Sequence, residues 1–193
     1  MNPIFQSPTY LLRRQAIAFT GKFRFYDPAG RLVLFSEQKM FKLREDIRVY
    51  ADENKSQEVL SVKARQIMDF SAAYDVVDTA LNQKVGALRR RGLQSILRDE
   101  WEVLDANDNV VGKLFEDSVG LALLRRLLLG SLLPQNYDIT FGDTRVADLK
   151  QNFNLFRYEL NLDFSMDTTQ RLDRRLGIAA GLLLAVVEGK QSN

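Results

Sequence analysis

The sequence predicts a mainly β domain: a closed antiparallel barrel of about twelve strands around a buried hydrophobic C-terminal helix, with a short leucine-rich helix in addition. Three observations lead to this prediction. A hairpin pattern recurs along the chain, an unbroken apolar run lies near the C-terminus, and no linker rich in Pro, Gly or Ser divides the sequence. We therefore expect a single domain over residues 1–193, with its core at about 20–189.

The recurring unit is a run of aromatic and β-branched residues, a cluster of turn formers, and a second alternating run. Its five copies cover residues 23–35, 47–65, 74–91, 101–117 and 137–151. Strand propensity on both sides of a turn predicts a β-hairpin. Single strands at 158–164 and 10–19 bring the count to about twelve. A meander of this length packs as a sandwich or closes into a barrel.

The turns carry their own chemistry. Asp27-Pro28-Ala29-Gly30 suits a type I turn, with Asp first, Pro second and Gly last. Gly142 stands between two strands at a position where a positive φ is needed. The segment 105–109, DANDN, supplies residues that bond their own backbone and tolerate the left-handed region.

The apolar run from Leu176 to Val187 has two interpretations, a membrane span and a core helix, and its length distinguishes them. A membrane-spanning helix needs roughly 20 apolar residues, whereas a shorter run is more often a buried core helix. The capping-box spacing of Asp167 and Gln170 predicts a helix of about 20 residues that ends at Glu188. Its apolar part must be surrounded on every side. We favour a helix threaded through the barrel, with the GxxxG spacing of its glycines serving close strand packing rather than pairing in lipid.

Composition excludes several classes of function. The chain has no Cys and no His, which removes thiolate nucleophiles, ordinary zinc sites and the commonest general base. A net charge of +2 is low for a nucleic-acid binder, and no phosphate loop or nucleophile elbow is present. We expect no enzymatic activity, no obligatory cofactor and no nucleic-acid partner. The N-terminal segment lacks a signal-peptide pattern, so the expected location is cytoplasmic, with peripheral membrane contact as an option.

One segment resembles a calcium-binding loop. Asp105, Asn107 and Asn109 take its first, third and fifth positions, and Glu116 takes the twelfth. Val110 stands where the sharp turn of such a loop requires Gly. The favoured alternative is a hairpin turn whose Glu lies on the returning strand.

A basic rim is the second candidate site. Lys63 and Arg65 end one hairpin, and the arginines at 89–91 end the next. If the barrel gathers these ends, the cations attract anionic lipid headgroups. The alternative is a solvated strand edge protected by charge. The basic rim is defined by Lys63, Arg65, Arg89, Arg90 and Arg91.

A leucine-rich helix is predicted between the fourth and fifth hairpins, over about 118–133. Arg125 and Arg126 interrupt its wide apolar arc and are further candidates for headgroup binding. Leucines flanked by arginine suit a helix at a membrane interface. A helix that plugs one barrel end and a surface for a protein partner, at 119–133, are the alternatives. The arginines at 171, 174 and 175 oppose the dipole of the C-terminal helix and call for an acidic partner or for burial of the helix.

The order of several stretches resembles the phospholipid scramblase and LURP-one-related group of the tubby C-terminal-like superfamily. The stretches are ARQIMDFSAAYDVVD, VGALRRRGLQSILRDEWEVLD, EDS, ALLRR, LPQNYDI, QNFNLF and LDRRLGIAAGLLLAVVEG, within about 20–189. The resemblance implies a twelve-stranded barrel around a hydrophobic helix. It also implies phosphoinositide binding through basic residues, as in tubby domains, and calcium-dependent lipid movement, as in scramblases. The chain lacks the scramblases' cysteines and Pro-rich N-terminal segment, which argues against scrambling.

Residues and resemblance together predict a non-enzymatic module that recognises anionic phospholipid or phosphoinositide headgroups at a membrane surface. A soluble protein-interaction barrel without a lipid role is the first alternative. Phospholipid scrambling is the second, and calcium is the one cofactor that the sequence suggests.

Overall fold

A computed structural model describes residues 2–15, 20–39, 46–65, 73–91, 100–116, 135–152, 154 and 157–188. Within them, twelve antiparallel strands form a closed barrel. The strands are β1 (Thr9–Gln15), β2 (Thr20–Tyr26), β3 (Leu32–Lys39), β4 (Asp46–Tyr50), β5 (Glu58–Ala64), β6 (Ala73–Asp78), β7 (Gln83–Arg90), β8 (Glu100–Leu104), β9 (Val110–Glu116), β10 (Asn136–Phe141), β11 (Thr144–Asn152) and β12 (Arg157–Asp163). Each strand pairs with its neighbours in sequence, and β1 closes the barrel on β12. The predicted closed barrel of twelve antiparallel strands is confirmed.

Local turn chemistry shapes the hairpins as the sequence predicts. The amide of Gly30 donates to the carbonyl of Asp27 over 2.9 Å, and Gly30 has a φ of +76°. Gly142 has a φ of +59° between β10 and β11. In the β8–β9 turn, Oδ1 of Asp105 accepts from the amides of Asn107 and Asn109. These short-range bonds fix where each strand reverses.

The C-terminal helix, α1 (Arg174–Glu188), lies inside the barrel. Every residue from Leu176 to Val186 is buried. The interpretation of this run as core helix is therefore confirmed. Of the two glycines in the GxxxG spacing, Gly181 faces β12 and Gly177 faces Phe164, the residue that directly follows β12. A Cβ at Gly177 would lie 2.3 Å from the Phe164 ring, and one at Gly181 would lie 2.8 Å from Leu162.

The prediction of where the helix begins was wrong. The helix has 15 residues, about 22 Å in length, and it starts six residues later than the capping-box spacing suggests. Gln170 adopts a φ of +52°, which a helix cannot contain. The carboxylate of Asp167 instead accepts from the amides of Arg171 and Leu172 and closes a turn. Asp173 is the residue that caps α1, because its carboxylate accepts from the amide of Arg175.

The barrel has two different ends. The proximal end carries the hairpin turns, the 164–173 segment and the N-terminus of α1. The distal end is the opposite one, where β1, β3, β5, β7, β9 and β11 finish and the C-terminus of α1 lies. The direction of α1 follows from its contacts, since Gly177 meets Phe164 and Gly181 meets Leu162, so that α1 runs antiparallel to β12.

We predict that Gly177→Ala destabilises the protein by about 1–3 kcal/mol, because the added methyl overlaps the packed ring of Phe164. Gly181→Ala is the matched control and should cost less. Its obstacle is the branched end of Leu162, which can rotate, and both variants gain about 1 kcal/mol of helix propensity. Urea unfolding measures both free energies. Equal costs, or a stabilised Gly177→Ala variant, would contradict the packing described.

Candidate functional site at the distal end of the barrel

The strand register gathers the basic rim at the distal end. β5 and β7 run in the same direction on either side of β6. Ala64 pairs with Tyr74, which pairs with Leu88 in turn, so that the two strands finish at one level. Arg65 follows β5 directly, and Arg91 follows β7. The register therefore brings the ends of β5 and β7 together at the distal end.

Carboxylates that the sequence analysis did not single out face these cations. Nη2 of Arg89 lies 2.5 Å from Glu102, and Nη1 of Arg91 lies 2.9 Å from Glu100. Both glutamates belong to β8, which pairs with β7. A sequence signal existed, since Glu102 alternates with Trp101 and so points to the outer face. The pairing of Arg89 with Glu102 needs the register across the 92–99 connection, which local pattern does not supply.

Arg65 belongs to a second group of charges. Its guanidinium lies 2.6 Å from Asp75 and also binds Asp108 in the β8–β9 turn. Lys84 contributes a second cation, with Nζ 2.7 Å from Asp108. Hydrogen bonds from Lys84 and then Arg65 lower the pKa of Asp108. Two cations and two anions thus form a neutral cluster on the outer face.

Lys63 and Arg90 differ from the other rim cations. Lys63 is exposed on the outer face and forms no ion pair with any residue that the structure describes. Arg90 pairs across the sheet with the buried Trp101, and its guanidinium lies 6.0 Å from the centre of that ring. Alternation therefore places Arg90 on the inner face of the barrel, whereas Arg89 and Arg91 point outwards.

A further cation at this end escaped the sequence analysis. Arg14 lies on the inner face near the end of β1, opposite Tyr158 on β12. The guanidinium lies 5.7 Å from the centre of the Tyr158 ring. The alternation of Tyr10, Leu12 and Arg14 in the sequence indicates that Arg14 points inwards. The strand pattern of this segment is weaker than that of the hairpins, so the signal is easily missed.

At the proximal end, carboxylates of the chain itself form ion pairs with the arginines at the N-terminus of α1. Arg175 lies 2.6 Å from both Asp78 and Asp173, and Arg174 lies 3.2 Å from Asp167. The side chains of Arg174 and Arg175 are only 13% and 12% exposed. Arg171 lies outside the helix, with its guanidinium 5.6 Å from the centre of the Phe141 ring. Arg174 and Arg175 therefore anchor α1 internally, and an external acidic partner is not needed to explain these two residues.

The calcium-loop residues are not brought together. Asp105 caps the β8–β9 turn, and its second carboxylate oxygen accepts from the side-chain amide of Asn109 over 3.0 Å. Asn107 lies in the same turn. Glu116 is buried at the far end of β9, about 20 Å away along the strand. The arrangement matches the hairpin alternative, and the described residues contain no cluster of three or more carboxylates that could hold a metal ion.

The predicted leucine-rich helix at 118–133, with Arg125 and Arg126, lies outside the described residues. The residues on either side of that segment, Glu116 and Gln135, both lie at the distal end. Across the described ranges, no helix combines the length and the apolar character that a membrane crossing requires.

Comparison with known proteins adds the family. The model of the family described as LURP-one-related matches residues 32–185, from β3 to the interior of α1. No curated protein matches the chain significantly.

We predict that Asp78→Asn destabilises the protein by about 3 kcal/mol, because it leaves the buried guanidinium of Arg175 with one carboxylate instead of two. The amide keeps the oxygen that accepts from the amide of Leu81. Glu53→Gln removes the same charge from an exposed pair with Arg24 and should cost under about 1 kcal/mol. Urea unfolding of both variants gives the comparison. A cost for Asp78→Asn no greater than that of Glu53→Gln would contradict the anchoring role.

The Arg91–Glu100 pair predicts a pH dependence of stability. Hydrogen bonding from Arg91 is the main cause that lowers the pKa of Glu100, and the charge of Lys113 adds to it. A carboxylate with a lowered pKa in the folded state stabilises that state above its unfolded pKa of about 4.3, and the contribution is lost as the pH falls through the folded pKa. Arg91→Gln should therefore destabilise the protein at neutral pH and have no effect once Glu100 is protonated. Urea unfolding over a pH series tests this, and an effect that is constant with pH would contradict it.

Proposed function

The chain belongs to the LURP-one-related family, and we propose that its barrel is a non-enzymatic module that recognises anionic phospholipid headgroups at the distal end. The observation that carries the proposal is the convergence of the basic rim through the register of β5, β6 and β7. Arg125 and Arg126 lie outside the described residues and belong to the same proposal because their segment connects β9, which ends at the distal end, to β10, which begins there.

The ion pairs of the rim are compatible with headgroup binding. The side chain of Arg89 is 41% exposed although it contacts Glu102. Exposed ion pairs of this kind contribute about 0–1 kcal/mol, so exchanging a carboxylate for a phosphate costs little. A basic residue near an anionic bilayer gains about 1 kcal/mol. Because the attraction of the rim is reduced by its glutamates, we expect moderate affinity with a strong dependence on salt.

A protein partner is the second candidate, and the neutralised rim favours it. Arg65, Arg89 and Arg91 each face a carboxylate, which weakens the long-range field that draws a protein to a membrane. A balanced charge pattern suits recognition of a complementary protein surface instead. Association with a protein, in the absence of vesicle binding, is the outcome that this candidate predicts.

We predict that Glu102→Gln strengthens binding to anionic vesicles by about fivefold, because it frees Arg89 at a gain of about 1 kcal/mol. Arg89→Glu should abolish binding. Flotation with phosphatidylcholine vesicles, with and without phosphatidylserine and at low and high salt, measures both. Glu53→Gln is the matched control, since it changes the net charge equally but lies at the proximal end, where it pairs with Arg24.

The comparison of the two charge variants is decisive for the lipid proposal. Equal effects of Glu102→Gln and Glu53→Gln would show that net charge alone acts and would contradict a distal site. Absence of flotation for the wild type and for all variants would contradict the lipid function itself and favour the protein-partner candidate.

A further inference from the structure

Inside the distal mouth of the barrel, one polar atom in each of two side chains, Arg14 and Tyr158, has no hydrogen-bond partner among the described residues. Arg14 and Tyr158 lie directly opposite each other on β1 and β12. The hydroxyl of Tyr158 and Nε of Arg14 are both shielded from solvent, and neither has a hydrogen-bond partner among the residues that the structure describes. Tyr158 is only 8% exposed. Arg14 also forms no ion pair within the described ranges, in contrast to Arg13 beside it, which lies 2.9 Å from Glu159.

This arrangement is costly unless something binds there. A buried polar atom without a partner costs about 1–3 kcal/mol, and a charged one costs more. Burial raises the pKa of Tyr158, and it lowers the pKa of Arg14. The C-terminus of α1 lies at the same end and favours a nearby positive charge. A helix dipole provides a field but supplies no acceptor for the shielded Nε–H of Arg14.

We propose that Arg14 and Tyr158 form a binding site for a phosphate-type anion inside the distal mouth. A planar guanidinium binds phosphate oxygens through two parallel hydrogen bonds, and the hydroxyl of Tyr158 donates a third from the neighbouring strand. The hydroxyl stays protonated at neutral pH, since the pKa of a tyrosine is already about 10 without burial. The anion would supply acceptors for both shielded donors at once.

This site is separate from the basic rim. Arg14 lies on the inner face of β1, whereas Arg89 and Arg91 lie on the outer faces around β7, on another part of the barrel wall. A free phosphate and the phosphate monoester of a lipid present the same chemistry to Arg14. The site formed by Arg14 and Tyr158 can therefore be tested independently of the basic rim. Its test distinguishes the two sources of phosphate.

The experiment uses the full chain and follows the Nε–H resonances of arginine side chains by NMR. Inorganic phosphate is titrated against sodium chloride of equal ionic strength, and vesicles of phosphatidylcholine with phosphatidic acid form a second arm. Arg14→Gln assigns the resonance and removes the site. Arg13→Gln is the matched control, because it makes the same substitution one residue away on the outer face. Tyr158→Phe removes the single hydroxyl.

We expect saturable phosphate binding in the wild type and in Arg13→Gln and Arg89→Glu, with none in Arg14→Gln. Tyr158→Phe should bind about tenfold more weakly. Without phosphate, Tyr158→Phe should melt no lower than the wild type, because its hydroxyl has no partner to lose. This melting temperature also shows that the variant folds.

Binding to vesicles alone, lost in Arg14→Gln and kept in Arg13→Gln, would support the site with a lipid as its source of phosphate. Equal binding by Arg14→Gln and the wild type in either arm would overturn the proposal, as would the absence of any Arg14-dependent binding in both arms.

Discussion

The structure depends on one constraint: a closed barrel of twelve strands has a lumen that must be filled. Helix α1 fills it with an apolar surface on all sides, and Gly177 and Gly181 let the helix approach β12 closely. The buried pairs of Arg174 and Arg175 hold the polar start of α1 at the proximal end. An apolar run that would suggest a membrane segment in isolation is here the core of a β domain.

The two ends of the barrel differ in how their charged side chains are paired. The proximal end is closed by short turns and by the start of α1. There, Arg174 and Arg175 pair with carboxylates of the chain itself. The distal end carries the basic rim, in which Arg90 faces inwards, and the Arg14–Tyr158 pair. Its outer arginines, Arg89 and Arg91, pair with Glu102 and Glu100, whereas the guanidinium of Arg65 contacts Asp75 and Asp108 on the outer wall of the barrel. Both proposals for binding therefore concern this end.

Local signals in the sequence predict the hairpins and the burial of α1, while long-range pairing escapes them. Gly30, Gly142 and Asp105 act within their own turns, so their roles are visible in the sequence. The start of α1 was misplaced because Asp167 has the spacing of a helix cap but closes a turn, and Gln170 adopts a positive φ. The glutamates that face the rim were missed because their partners are set by the register between β7 and β8. Family membership does not identify a ligand.

The most direct test of the central claim is the accessibility of the interior of α1 in the presence of membranes. The chain has no cysteine, so Ala180→Cys introduces a single thiol at a position that is 1% exposed. Alkylation of this thiol is followed with and without anionic vesicles, under conditions in which the protein stays folded. The account predicts that the thiol remains unreactive in both samples until global unfolding. Rapid modification or burial of the thiol in lipid, at vesicle concentrations that leave the barrel intact, would contradict it, because the helix would then leave the lumen.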